Sequence, residues 1–363
     1  MSGLKEFTVL HVCLTITFIV TGLIINLLQL LLLLLLPRKL FHQCNFYLVA
    51  AIYGYLLCLA EWWGGSSFTI YCTDQFYEKL QKRKFKERQL VVANHHTELD
   101  WIYCWQLADR GGHLGGCRAL VKNVLKFVPV IGWSSWMTGD VFLTRSWEKD
   151  KADMAAKVAA MEEEPNHTWL FVFPEGTRLT AAKLKASQDF ASTRGLPHLD
   201  HHLVARTKGF CLMASSMAGG LLDLTFVQGE HSAPPTLLSL LSGKTVDTRV
   251  IVREFDLESV PKDPEEASAW LHRLWHEKDK MKELAKQGDW HAVEKLANVT
   301  GRLSPARQWS LLWFLVTNVG VLGPLLLLVA EGSWITWLLA AALFAVAWVA
   351  FKQLVAVSRI KKE

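Results

Sequence analysis

Gln89-Leu90-Val91-Val92-Ala93-Asn94-His95-His96-Thr97-Glu98-Leu99-Asp100 is the stretch on which the fold turns. A continuous apolar run breaks into a polar turn, and an amphipathic pattern over 98–109 follows. An apolar run without alternation predicts a strand covered on both faces, and a strand that feeds a helix through a short turn is the repeating unit of α/β proteins. The same signature recurs along the middle of the chain. Strands are predicted over 89–94, 117–122, 141–145, 168–174, 221–228 and 248–255, with helical stretches over 98–109, 122–138, 148–164 and 183–194. A later amphipathic helix is predicted over 264–287, with Trp270, Leu271, Leu274 and Trp275 on one face. The expected fold class is therefore α/β, a mostly parallel sheet with flanking helices.

Ligands of such sheets sit at the carboxyl ends of the strands. The polar motifs fall there: Asn94 to Asp100 after the first strand, Arg145 after the third, and Pro174-Glu175-Gly176-Thr177-Arg178 after the fourth. His95 and Asp100 are five apart, about 140° round an ideal helix, whereas His96 and Asp100 share a face. Three readings stay open on spacing. Thr97 and Asp100 fit a capping box. His96 and Asp100 could be two metal ligands, but no third ligand stands nearby in the sequence, so no metal is expected. Alternatively His95 lies in the turn and bends its imidazole back to Asp100, which orients a general base. In the other motif, Gly176 allows close approach of the backbone to a ligand, Arg178 suits phosphate, and Glu175 can hold that guanidinium or take a hydroxyl.

Outward from this middle the chain becomes apolar. Of 363 residues 51% are hydrophobic and 20% charged, with a mean hydropathy of +0.19. That excludes a disordered chain, a collagen-like repeat and a plain cytosolic enzyme. Residues 8–36 hold no Asp, Glu, Lys or Arg and are long enough to span a bilayer when tilted. Residues 46–60 end at Glu61-Trp62-Trp63 and fit a span or an interfacial helix. Residues 309–330 and 333–351, joined by Glu331-Gly332, predict a membrane hairpin. Arg307 before it and Lys352, Arg359, Lys361 and Lys362 after it predict cytosolic flanks, as Arg38 and Lys39 do for the end of the first segment. The expected division is 1–63 membrane segments, 64–300 a cytosol-facing domain, and 301–363 the hairpin. A net charge of +5 is too small to argue for nucleic acid and suits an anionic membrane face. The basic cluster Lys82, Arg83, Lys84, Lys86 and Arg88 reads either as a headgroup attractant or as a solvated loop. Seven scattered cysteines without CxxC spacing predict reduced thiols.

Asn-His-x4-Asp after a strand, an F-x-x-R strand ending at Arg145 and Phe173-Pro174-Glu175-Gly176-Thr177-Arg178 together resemble the glycerolipid acyltransferase family. More closely, the chain is similar to the eukaryotic 1-acyl-glycerol-3-phosphate acyltransferases with a C-terminal membrane anchor. Glu61-Trp62-Trp63, the segment 128–133 (VPVIGW) and Arg206-Thr207-Lys208-Gly209-Phe210 extend the likeness over nearly the whole chain. Thr144 stands where the family pattern has an acid, and Ala205 where it has a proline. The resemblance implies acyl transfer from acyl-CoA, a co-substrate rather than a cofactor, to the sn-2 hydroxyl of a lysophospholipid, with lysophosphatidate the main expectation. It implies His95 as general base, Asp100 as its partner, and Arg145, Glu175, Gly176, Thr177 and Arg178 around the glycerophosphate. Direct transfer, no covalent intermediate and an endoplasmic reticulum membrane location are implied with it. Lysophosphatidylinositol, lysophosphatidylglycerol and lysocardiolipin are the alternative acceptors, and a non-catalytic lysolipid-binding protein is the alternative class.

Overall fold

Alternation within the first predicted strand builds the two faces of the molecule. Leu90 and Val92 enter one apolar layer and Val91 and Ala93 the other, and none of the four is exposed. A strand covered on both sides needs elements packed on both sides. The computed structural model describes residues 8–358 except Lys84, Lys86, Arg145, Glu230, His231 and Glu331, with the side chains of Leu343, Ala350, Phe351 and 353–358 also set aside. Arg145, two lysines of the basic cluster, Glu331 of the hairpin turn and the terminal Arg359, Lys361 and Lys362 thus lie outside the described residues.

Two long helices open the chain, α1 (Thr8–Leu35) and α2 (Arg38–Cys58), the second ending in a π turn over Leu59–Trp63. Then follow β1 (Phe68–Cys72), α3 (Asp74–Gln81), β2 (Gln89–Ala93), α4 (Asp100–Gly111), β3 (Cys117–Lys122), α5 (Ile131–Thr138) and β4 (Val141–Leu143). Next come α6 (Trp147–Glu162), β5 (Trp169–Val172), α7 (Ala181–Arg194), α8 (Thr207–Ser216), β6 (Gly220–Gln228), α9 (Leu237–Leu241) and β7 (Thr248–Asp256). The chain closes with α10 (Pro264–Lys286), α11 (Trp290–Ala297), β8 (Thr300–Leu303), α12 (Gln308–Ala330) and α13 (Trp334–Ser358).

The eight strands form one sheet in the order β4-β3-β5-β2-β6-β7-β1-β8. Strands β2 to β6 run parallel, β6 pairs antiparallel with β7, and β1 pairs parallel with β7 and antiparallel with β8. The α/β expectation holds. Two strands were not foreseen, and both lie at one edge of the sheet, where polar residues such as Thr69, Thr300 and Arg302 dilute the apolar signal. Because β8 belongs to the sheet, the boundary expected at 300/301 falls inside a strand. The helix expected over 122–138 is a 3-10 turn over Asn123–Phe127 followed by the short α5, since Pro129 interrupts it.

One sheet face packs α4 and α2, and the other packs α6, α8 and α10. Leu271, Leu274 and Trp275 of α10 are buried as the periodicity predicts, with Trp270 half-buried. Helices α1 and α12, and α2 with its π turn, are each long and apolar enough to cross a membrane. Helix α2 is longer than the expected 46–60 stretch and touches the sheet domain at both ends. Arg38 pairs with Glu163 at 3.7 Å, and Trp63 Nε1 donates to Leu241 O at 2.9 Å. Between them Tyr53 stacks on Trp105 at 3.5 Å between ring centroids. Polar groups of α1 find partners in α2 and α5: Gln29 donates to Asn45 and Ser134, and Asn26 donates to Val130 O. Buried polar groups require such partners. Buried Glu61 accepts from Arg110 at 2.5 Å and from Gln106 at 3.0 Å, which ties the π turn to α4. All seven cysteines are free thiols.

Candidate active site

Strand β2 delivers its turn to the sheet's carboxyl edge, and Asn94 locks the exit. Its buried side chain accepts from Phe226 N at 2.7 Å and donates to Phe226 O at 3.4 Å, bracing β2 against β6. His95 then lies outside the helix. Its Nδ1 stands 2.9 Å from Asp100 Oδ2, so the bend allowed by spacing is the one adopted. Asp100 is the first residue of α4, and Leu99 rather than Thr97 is the N-cap, so no capping box forms. The carboxylate instead gathers the turn around itself. It accepts from His96 N at 2.6 Å, Thr97 N at 2.9 Å and Thr97 Oγ1 at 2.6 Å. Asp100 is wholly buried, whereas 24% of the His95 side chain is exposed. The imidazole is fixed from below and open from above, with its ring against Phe173 at 4.6 Å between centroids.

The turn after β5 meets this one directly. Leu179 N donates to His95 O at 2.9 Å, and His95 N donates to Glu175 Oε1 at 3.2 Å. The other oxygen of Glu175 accepts from Leu203 N at 3.3 Å. Glu175 is buried and turned inward, away from the surface where a headgroup would lie. Burial pushes its carboxyl up to about 8, against the downward pull of the two backbone N–H groups. Gly176 is exposed at φ +69°, a conformation that favours glycine, but its N–H donates to Phe173 O at 2.9 Å. That N–H is committed to the turn. A Cβ there would also meet Arg206 Nε at 3.0 Å, because the exposed Arg206 lies across the glycine. Thr177 Oγ1 accepts from Lys183 Nζ at 3.1 Å, and Arg178 beside it is half-buried. Of the expected site residues, His95, Asp100, Glu175, Gly176, Thr177 and Arg178 thus belong to two touching turns. Thr144, placed where an acid is usual, has one supplied: its N and Oγ1 donate to Asp150 Oδ1 of α6 at 2.9 and 2.7 Å.

The sequence reading assigned no role to a third loop, preceding α8. His202 is unexposed beneath the site, its Nδ1 3.0 Å from Asp279 Oδ1 on α10, and its ring 4.9 Å from that of His96. Burial, reinforced by nearby Lys282, holds both imidazoles well below their usual range, so they are neutral. Lys282 donates to Phe226 O at 2.6 Å, and its burial lowers it to about 8. Arg206 and Lys183 were likewise without a role, although Arg206 belongs to a segment that carried the resemblance. A cavity of about 420 Å³ lined by Leu33, Phe41 and Met137 among others does not have His95 in its wall.

Two touching strand-end turns thus present a carboxylate-held histidine and an arginine beside an inward glutamate. The family description "Acyltransferase" matches residues 73–225, and "Acyltransferase C-terminus" matches 239–317. The human protein named 1-acyl-sn-glycerol-3-phosphate acyltransferase delta is 36% identical over 99% of this chain and 94% of its own. The human gamma protein is 34% identical over 90% and 85%, and the delta protein of Bos taurus 35% over 99% and 94%. The chain belongs to the 1-acyl-sn-glycerol-3-phosphate acyltransferase family of enzymes.

Proposed function

We propose that this enzyme transfers an acyl group from acyl-CoA to the sn-2 hydroxyl of 1-acyl-glycerol-3-phosphate, giving phosphatidate and free CoA. The observation that carries the proposal is the His95–Asp100 pair, 2.9 Å apart at a strand end, with the imidazole open to the surface. Asp100 holds the proton on Nδ1 and leaves Nε2 basic. His95 Nε2 takes the acceptor's hydroxyl proton as the oxygen attacks the thioester carbonyl. The carbon–sulfur bond then breaks, and the imidazolium returns its proton to the leaving thiolate. The acceptor hydroxyl occupies the place of a serine, so no acyl-enzyme forms. Arg178, Arg206 and Lys183 supply cations near the Gly176 turn for the glycerophosphate, with Arg145 joining them by its place in the motif. Glu175 positions the His95 loop by its backbone hydrogen bonds instead of touching the headgroup.

The names of the similar human proteins support this acceptor over other lysophospholipids. The endoplasmic reticulum, with the sheet domain on the cytosolic face, is the proposed location, since both substrates reach the site from that leaflet. The test is acyl transfer from labelled oleoyl-CoA by purified protein to a panel of lysophospholipids. Label entering phosphatidate, with a roughly 10²–10⁴-fold loss in a folded His95→Ala variant, is the expected outcome. Label going to another headgroup moves the acceptor, and full activity in the variant removes the base.

A further inference from the structure

We propose that His96, Glu175 and His202 form a buried divalent-cation site of the zinc class, which clamps together the three loops around the catalytic base. Each residue offers one ligand atom, and these atoms lie within 4.8 Å of one another. His96 Nε2 and Glu175 Oε1 are 3.9 Å apart. The residues come from three separate places: the turn after β2, the turn after β5 and the loop before α8. Close to His96 in the sequence, His95 and Asp100 are committed to each other, and Glu98 accepts from Leu237 N at 3.4 Å.

Two observations point to a ligand rather than a chance cluster. The Nε2 atoms of His96 and His202 are both buried and have no hydrogen-bond partner among the described residues, and His202 is wholly unexposed. An orphaned buried polar atom is costly, and two of them beside a carboxylate call for a shared ligand. The tautomer is also set. His202 Nδ1 is held by Asp279 Oδ1 at 3.0 Å, which puts the proton there and aims the Nε2 lone pair into the cluster. A carboxylate on the far nitrogen is the usual outer partner of a metal-bound histidine. Glu175 spends one lone pair of each oxygen on a backbone N–H and keeps others free. Two imidazoles and a carboxylate suit Zn²⁺, with a fourth position for water. Tetrahedral zinc wants ligand atoms about 3.3 Å apart, so loading contracts the cluster by at most about 1.5 Å, which loops accommodate. Two ammonium groups of α10 stand near, and both are engaged: Lys278 pairs with Asp223, and Lys282 donates to Phe226 O. The site does not depend on which substrates the enzyme takes. His95 and Asp100 are not ligands, and the cation acts on catalysis only by holding the loops that carry them.

The experiment is elemental analysis of the full-length protein, purified in detergent from zinc-supplemented cells and dialysed against metal-free buffer. One zinc per chain is expected, falling at least tenfold in His202→Ala and in His96→Gln. The second variant changes a residue with some exposure, and circular dichroism checks that both fold. Protein stripped with chelator and titrated with Co²⁺ should show tetrahedral ligand-field bands that both variants lack, and zinc should raise the wild-type Tm but not theirs. Substoichiometric zinc together with no cobalt spectrum overturns the proposal and leaves a shared proton between Glu175 and the imidazoles. Equal zinc in wild type and both variants overturns it as well, by placing the metal elsewhere.

Discussion

Asp100 carries more of the site than any other side chain, and its chemistry explains why. A buried carboxylate needs several donors, and here two backbone N–H groups, a hydroxyl and an imidazole converge on it. The same contacts that satisfy it orient the His95 imidazole, the proposed base. Asp100→Asn should keep most of the hydrogen bonds, cost about 1–3 kcal/mol in stability, and lower kcat by roughly 10²–10⁴-fold with little change in KM. Acyl-transfer kinetics beside denaturant titration separate the two effects, and an unchanged kcat would remove Asp100 from the catalytic pair. The His95–Asp100 pairing was legible because only a bend out of the helix brings residues five apart together. His202 and Asp279 were not legible, since 77 positions separate them and neither carries a local pattern.

At the scale of elements, close approach and buried charge give the sharpest expectations. A Cβ on Gly115 would lie 1.8 Å from Phe46 O, so this glycine lets α2 lie against the loop before β3. Gly115→Ala should destabilise by about 1–3 kcal/mol, whereas Gly320→Ala, with nothing within 4 Å in the interior of α12, should be neutral or stabilise by up to about 1 kcal/mol. Thermal unfolding in detergent checks the contrast, and equal shifts would deny that α2 is held there. Asp140, between α5 and β4, is buried, and that burial pushes it up to about 6 while Arg118, Ser135, the Ala119 N–H and Lys157 pull it down. The native chain keeps this proton to higher pH than the unfolded chain, whose aspartates titrate near about 3.9. Stability therefore falls as pH rises from about 4 to 6 and levels above. Asp140→Asn cannot release that proton, so its stability relative to wild type should grow by about 2–3 kcal/mol across that window. Parallel pH curves for the two proteins would contradict the assignment.

The whole molecule combines a sheet domain with apolar helices that are not independent of it. Helix α2 touches the domain at both ends, and α12 is tied in through Trp309, whose Nε1 donates to Asp109 at 3.1 Å, and Trp313, which donates to Ala51 O at 2.8 Å. A domain packed on helices long and apolar enough to cross a membrane suits the proposed substrates, whose acyl chains would enter laterally from one leaflet. If the domain lies on the cytosolic face, as proposed, the tripeptides at Asn166 and Asn298 never meet the glycosylation machinery. Expressed in eukaryotic cells, the protein should resist carbonate extraction yet show no mobility shift with a glycosidase. A glycan at either asparagine would place the domain in the lumen.

By itself the sequence determined the strand–helix alternation, the apolar ends, the two motif turns and the membership that their residues imply. All of these are local, written in runs of about five to twenty residues where periodicity and turn chemistry speak directly. The edge strand β8 and its neighbour β1 escaped because pairing near a sheet edge depends on a distant partner more than on the strand's own apolarity. Only the tertiary structure decided that Glu175 faces inward, that the Gly176 N–H belongs to its own turn and that Thr144 donates to Asp150. It alone set His96 beside His202, through the crossing of loops more than 100 residues apart, a proximity that depends on sheet order rather than on any pattern along the chain.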